Sequence, residues 1–173
     1  MNEVLHIMMK DSDNRLAESL FWQLSTFGGG QFGDIKSVVS NIESVLQRAG
    51  IPKDSGYRIA DGSGLSLYNY ITPQMLNALL VYAWWQQDIR AHLVPSLPIG
   101  GVDGTLKKRF HGTSAYNNIF AKTGTVSGIS SLSGYANGGN GHVISFCIIN
   151  QGVQRGSIGR NFQDQVCIAL TEK

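Results

Sequence analysis

Between Asn118 and Asn150 the periodicity of the chain changes. Asn118 to Thr125, Gly128 to Ala136 and His142 to Asn150 read as strands, and Asn137-Gly138-Gly139-Asn140-Gly141 reads as the hairpin turn joining the last two. Strands so close in sequence pair antiparallel. Before them the spacing is helical: Leu16, Ala17, Leu20, Phe21 and Leu24 share one face, and comparable stripes run from Ile35 to Ala49 and from Met75 to Ala83. Phe162, Val166, Ala169 and Leu170 give a closing helix that can lie across one face of the sheet. Helices, then sheet, then helix predict an α+β fold with layered packing and exclude a βαβ repeat. We expect a mainly helical part with loops over residues 1–116, and an antiparallel sheet plus C-terminal helix over residues 117–173.

Helix signals punctuate the first part. Residues 1–10 read as a short apolar approach to a helix that starts near Ser12 and ends before Gly28-Gly29-Gly30, with Ser12, Asp13 and Asn14 all able to cap it. Gly28 to Gly33 reads as a flexible loop. Asp34 caps the next helix, which Gly50 and Pro52 stop. Thr72-Pro73 supplies a cap and a proline at the first helical position, and the helix runs towards Trp84 and Trp85, which we assign to the core. Residues 86–98 look helical and end at Pro95 and Pro98. Lys107, Lys108 and Arg109 read as a solvated cationic face. Asp61-Gly62-Ser63-Gly64-Leu65-Ser66 reads as a loop able to approach a ligand closely.

Charge narrows the partners. Charged residues make up 15% of the 173 and the net charge is +2, so no basic stripe is available to track a phosphate backbone and nucleic acid is not expected. The four histidines are scattered, and no metal site or cofactor is indicated. Cys147 and Cys167 lie in apolar periodic segments and read as buried thiols. No apolar run reaches membrane-spanning length, and the first residues lack a signal-peptide pattern.

Two triplets carry chemistry. Ser12-Asp13-Asn14 stands at a helix start and Lys122-Thr123-Gly124 on a strand. With Lys10 to Leu20, Asp61 to Ser66, Ile99 to Lys108 and Ala121 to Tyr135, they resemble the class C low-molecular-mass penicillin-binding proteins, which are D-alanyl-D-alanine carboxypeptidase/endopeptidases. The resemblance implies a penicillin-binding/β-lactamase-like transpeptidase domain outside the cytoplasmic membrane, periplasmic or exported. Its partners would be peptidoglycan stem peptides ending in D-Ala-D-Ala, and β-lactam antibiotics. A serine activated by a lysine three residues later would attack the carbonyl between the two D-alanines, and water would hydrolyse the acyl-enzyme.

Within that chemistry Ser12, Asn14 and Lys122 are the expected catalytic residues. Ser12 with Lys122 can deliver a proton to the leaving amine, and Asn14 offers both donor and acceptor to substrate and to lysine. Thr123 and Thr125 are expected to bind the terminal carboxylate, with the Thr125 amide as an oxyanion donor. Gly124 would let an extended peptide lie along the strand. Asp61 and Ser63 complete the expected substrate-binding set.

Two departures qualify the resemblance. No serine among the 173 residues has lysine three places on, the nearest imitation being Thr105-Leu106-Lys107-Lys108. The family's nucleophile motif lies far upstream of its Ser-x-Asn helix, so this chain is expected to be the C-terminal part of a longer enzyme, inactive alone. Its missing N-terminal part would be a core partner, and an exposed edge and apolar surface would favour self-association. Leu67 also stands where relatives carry a basic residue that can assist carboxylate recognition. The alternative is a non-catalytic module that holds peptidoglycan stems or a partner protein. A class A-like β-lactamase remnant would share the triplets but not the Asp61 to Ser66 and Ile99 to Lys108 runs.

Overall fold

Three strands, β1 (Ile119–Val126), β2 (Ile129–Asn137) and β3 (Val143–Gln151), form an antiparallel sheet in the order β1-β2-β3 in the computed structural model, which describes residues 2–172. The register sets Lys122 opposite Ser133, Thr125 opposite Ser130, and Ser130 opposite Asn150. Because side chains alternate across a strand, Ser130 and Tyr135 point to opposite faces. On the Ser130 face, α6 (Gly156–Thr171) covers the sheet, and Gln163 Nε2 donates to Ser130 Oγ and Asn150 Oδ1, each at 3.1 Å. Ile119, Ala121, Leu132, Ala136 and Phe146 of this face join Leu106, Phe110, Ala115 and Cys167 in the principal core. On the other face lies α4 (Pro73–Trp85), where Tyr135 Oη donates to the Leu80 carbonyl at 2.8 Å and its ring packs 5.1 Å from that of Trp84. Burial pushes the Tyr135 hydroxyl up to about 12. The expected α+β class is therefore realised as helix, sheet, helix.

The remaining helices are α1 (Asn2–Asp11), α2 (Asn14–Gln23), α3 (Ile35–Arg48) and α5 (Gln87–Ser96). A smaller core of Leu46, Ile51 and Met75, with Tyr57 and Leu79 against it, joins α3 to α4. Asp34 and Thr72 cap α3 and α4 as expected, Asp34 accepting from the Lys36 and Ser37 amides and Thr72 from Met75. None of the described helices is long and apolar enough to cross a membrane.

Four local expectations are corrected. Residues 2–11 are a helix, not an approach: Val4, Leu5, Met8 and Met9 are half-buried while His6 and Ile7 are exposed, and α1 packs on α5. Asp13 alone caps α2, accepting from Arg15 and Leu16 at 2.8 and 3.0 Å, and beyond Gln23 the chain continues through 3₁₀ turns over Leu24–Gly29 that are broken by a kink at Phe27 and Gly28. Trp85 is 76% exposed, because the helix turns it away from the sheet that holds Trp84. Arg109 is not solvated. Its guanidinium donates to Asp164 Oδ1 at 2.8 and 2.6 Å, which leaves only Lys107 and Lys108 fully exposed in that patch. Cys167 is buried and Cys147 half-buried, and both are free thiols.

Candidate active site

Ser12 stands at the joint between α1 and α2. Its φ is +58°, and the Asp13 amide donates back to the Met8 carbonyl at 3.1 Å, closing the end of α1 in the manner of a Schellman motif. Glycine normally fills that left-handed position. Serine there costs roughly 1 kcal/mol of backbone strain, and its side chain is thrown out between the two helices. The hydroxyl meets Lys122, whose Nζ donates to Ser12 Oγ at 2.6 Å and to the Thr123 carbonyl at 2.8 Å. No carboxylate among the described residues pairs with this ammonium. Burial disfavours its charge and lowers its pKa from the ordinary lysine value.

Lys122 and Gly124 share the face of β1 towards α4, whereas Thr123 and Thr125 share the other. Among the described residues, backbone partners meet the outward edge of β1 only at its start, where Gly100 N donates to Ile119 O at 2.8 Å and Ala121 N to Pro98 O at 3.0 Å. By strand alternation the amides of Thr123 and Thr125 point out along the same edge, and no backbone partner from the described residues meets them. That edge can take an extended peptide as an added strand. A Cβ at Gly124 would run into Ser131 Oγ on β2, so the glycine answers to its own sheet as well as to an incoming ligand.

The Asp61 to Ser66 loop forms the opposite wall. Asp61 is committed inside it, accepting from Gly64 N at 2.7 Å, Ser66 N at 2.6 Å and Asn69 Nδ2 at 2.8 Å. Its carboxylate shapes the loop while lining the cleft. Ser63 lines the cleft with its hydroxyl facing only a long 3.4 Å contact from Leu65 N. Asn14 lines the same cleft from the first turn of α2 but makes no hydrogen bond to Lys122. The cleft between these walls has a volume of about 1030 Å³ and a largely apolar floor that includes Met8, Leu20, Phe21, Ile42 and Leu76. Ser12, Asn14, Asp61, Ser63, Lys122, Thr123, Gly124 and Thr125 all border it.

Three residues make supporting contacts that their sequence context does not reveal. Glu18 Oε1 accepts from Ser63 N at 3.0 Å and ties the loop to α2. Lys10, 6% exposed, donates to Asp103 Oδ2 and to the Leu97 carbonyl, both at 2.6 Å. A lysine two positions before Ser12 in a short apolar helix is a signal only if a buried partner is known. Thr105 meets Thr123 hydroxyl to hydroxyl at 3.0 Å.

A sequence profile of the D-Ala-D-Ala carboxypeptidase 3 (S13) family matches residues 1–173. The chain is 32% identical over 158 residues to the D-alanyl-D-alanine carboxypeptidase DacB of Haemophilus influenzae, covering 90% of this chain and 33% of that protein. It is 36% identical over 180 residues to a D-alanyl-D-alanine carboxypeptidase of an Actinomadura species, covering 99% and 32%. It thus spans about a third of the length of these curated relatives. The crystal structure of penicillin binding protein 4 (dacB) from H. influenzae, complexed with a β-lactam, superposes with a TM-score of 0.82 at 28% identity, over 99% of this chain and 41% of that one.

Proposed function

Because the chain belongs to the D-Ala-D-Ala carboxypeptidase 3 (S13) family, we propose that it supplies the proton-transfer and substrate-binding half of a serine-type D-alanyl-D-alanine carboxypeptidase/endopeptidase. Its substrate would be a peptidoglycan stem ending in D-Ala-D-Ala, and β-lactams would acylate the same enzyme. The observation that carries this reading is the 2.6 Å contact of Lys122 Nζ with Ser12 Oγ at the open edge of β1.

In this reading the stem peptide lies along β1 with its carboxylate towards the Thr123 and Thr125 hydroxyls. The nucleophilic serine of a Ser-x-x-Lys motif lies outside these 173 residues, on a segment seated over the apolar floor of the cleft. Its hydroxyl gives its proton to the lysine of that motif as its oxygen bonds to the carbonyl carbon between the D-alanines, and the Thr125 amide receives the developing oxyanion. As the C–N bond breaks, Ser12 passes its hydroxyl proton to the leaving nitrogen and takes one from the Lys122 ammonium. A lowered lysine pKa makes that ammonium the readier donor. Water then cleaves the ester, releasing the shortened stem. A cleft of about 1030 Å³ is at the upper end of small-ligand sites, about 1000 Å³, so the terminal dipeptide leaves room for the segment that brings the nucleophile. A cell-wall substrate implies an exported protein.

The absence of Ser-x-x-Lys from the 173 residues favours a second reading, a module that holds stem peptides without cutting them. Fluorescent penicillin followed by intact-mass measurement separates the two. The chain alone should take up no label, and the complete protein should carry one adduct, on a serine outside residues 1–173. An unlabelled complete protein leaves the binding module standing, whereas an adduct within the chain moves the nucleophile to Thr105 or another residue here.

A further inference from the structure

We propose that Thr105 is a positioning residue for carboxylate recognition, holding the Thr123 hydroxyl, and that the Lys10–Asp103 ion pair holds Thr105 in turn. The inference rests on the reading that Thr123 faces the substrate carboxylate. Thr123 Oγ1 donates to Thr105 Oγ1 at 3.0 Å, and no other side chain of the described residues bonds that hydroxyl. A threonine hydroxyl has one proton and two acceptor lone pairs. Thr123 gives that proton to Thr105. To bind a carboxylate it must turn that proton to the anion, and its oxygen then needs a donor. Thr105 is that donor, since its own hydroxyl is free to rotate. The pair becomes a chain, Thr105 to Thr123 to carboxylate, in which each bond polarises the next.

Thr105 can do this only if its loop is fixed relative to β1. Asp103 accepts from Lys10 Nζ through Oδ2 at 2.6 Å and from Ile99 N through Oδ1 at 2.8 Å. Gly104, at φ +53°, lies so close to α1 that a Cβ there would come within 2.7 Å of the Lys10 carbonyl oxygen. The same Lys10 lies in the last turn of the helix that presents Ser12. One clamp therefore sets two registers across the cleft, Thr105 against Thr123 and Ser12 against Lys122.

The test is a titration of the complete, ¹⁵N-labelled protein with N-acetyl-D-alanine, read at the Thr123 and Thr125 amides, beside N-acetyl-D-alaninamide, which lacks the carboxylate. Thr105→Val should weaken the acid about tenfold, as expected for a hydrogen bond that supports a charged one, and leave the amide unchanged. Thr105→Ser should restore the acid. Asp103→Asn should weaken the acid in the same way, whereas Glu43→Gln, at the Lys53–Glu43 ion pair, should not. Equal binding of the acid by wild type and Thr105→Val overturns the proposal, as does equal loss of acid and amide, or wild-type amides that do not move. Penicillin acylation reports separately on catalysis: a protein that is not acylated yet titrates as described loses the catalytic reading and keeps the Thr105 assignment.

Discussion

Lys122 Nζ and Ser12 Oγ meet at 2.6 Å although 110 positions separate them, and each is held at some cost: Ser12 in a left-handed conformation, Lys122 partly out of water without an anion. Such a pair fits proton transfer better than structural support. On the proposed function, Ser12→Ala in the full-length protein should slow penicillin acylation by about 10²- to 10⁴-fold, the usual loss for a general acid. Lys122→Ala should do the same, and the double variant should be no slower than the worse single one, because the two serve one proton path. Stopped-flow acylation rates that multiply in the double variant would show two independent functions.

Burial lowers the Lys122 pKa, so between that value and the ordinary 10.5 the folded chain binds fewer protons at this position than the unfolded chain. Folding stability contributed by this group therefore rises with pH across that window, and below it the buried charge is a constant penalty. Tyr135 and Cys167, both pushed up to about 12, act in the opposite sense. They are common to wild type and Lys122→Met, so comparing the two isolates the lysine. Urea midpoints measured from pH 7 towards 10.5 should move in favour of wild type relative to Lys122→Met, and a difference that is flat or falls with pH contradicts the desolvated ammonium.

Gly124→Ala tests the sheet itself. The added methyl meets Ser131 Oγ on the neighbouring strand, and overpacking of this kind costs roughly 1–3 kcal/mol. Ser131→Gly in the same chain removes the obstacle and should recover most of the loss in a thermal melt. If it does not, the glycine is required by something other than its strand partner.

The sheet was legible in the sequence because three short strands with a glycine-rich hairpin leave few alternatives, and its register follows from the alternation of Ile119, Ala121, Leu132 and Phe146 into one core. The capping threonine and aspartate of α4 and α3 were legible for the same local reason. What sequence could not disclose depends on partners distant in the chain. Arg109 reads as surface until Asp164 is placed beside it, Lys10 until Asp103 is, and Trp85 reads as core until the helix phase turns it outward. At the site, three adjacent capping residues leave the exact helix start open in the sequence. A serine, an aspartate and an asparagine in a row can each cap, and only the backbone shows Asp13 as the cap and Ser12 as the turn.

Arg109 and Asp164 fix the α6 face beneath the edge that carries Thr125. The guanidinium reaches Asp164 Oδ1 at 2.6 Å and Gln163 Oε1 at 3.3 Å, Gln163 passes the connection to Ser130, and Ser130 lies opposite Thr125 on β1. Arg109 Nη1 already lacks a partner, so removing the carboxylate would leave a largely buried cation with only a neutral amide beside it. Asp164→Ala should therefore cost roughly 3 kcal/mol, typical of one partner deleted from a buried pair. Replacing both charges, Arg109→Met with Asp164→Leu, should cost much less, because no uncompensated charge remains. Urea unfolding of the two single variants and the double variant measures this directly. A double variant as unstable as Asp164→Ala would mean that the geometry of the pair, rather than its charge balance, holds α6 to the sheet.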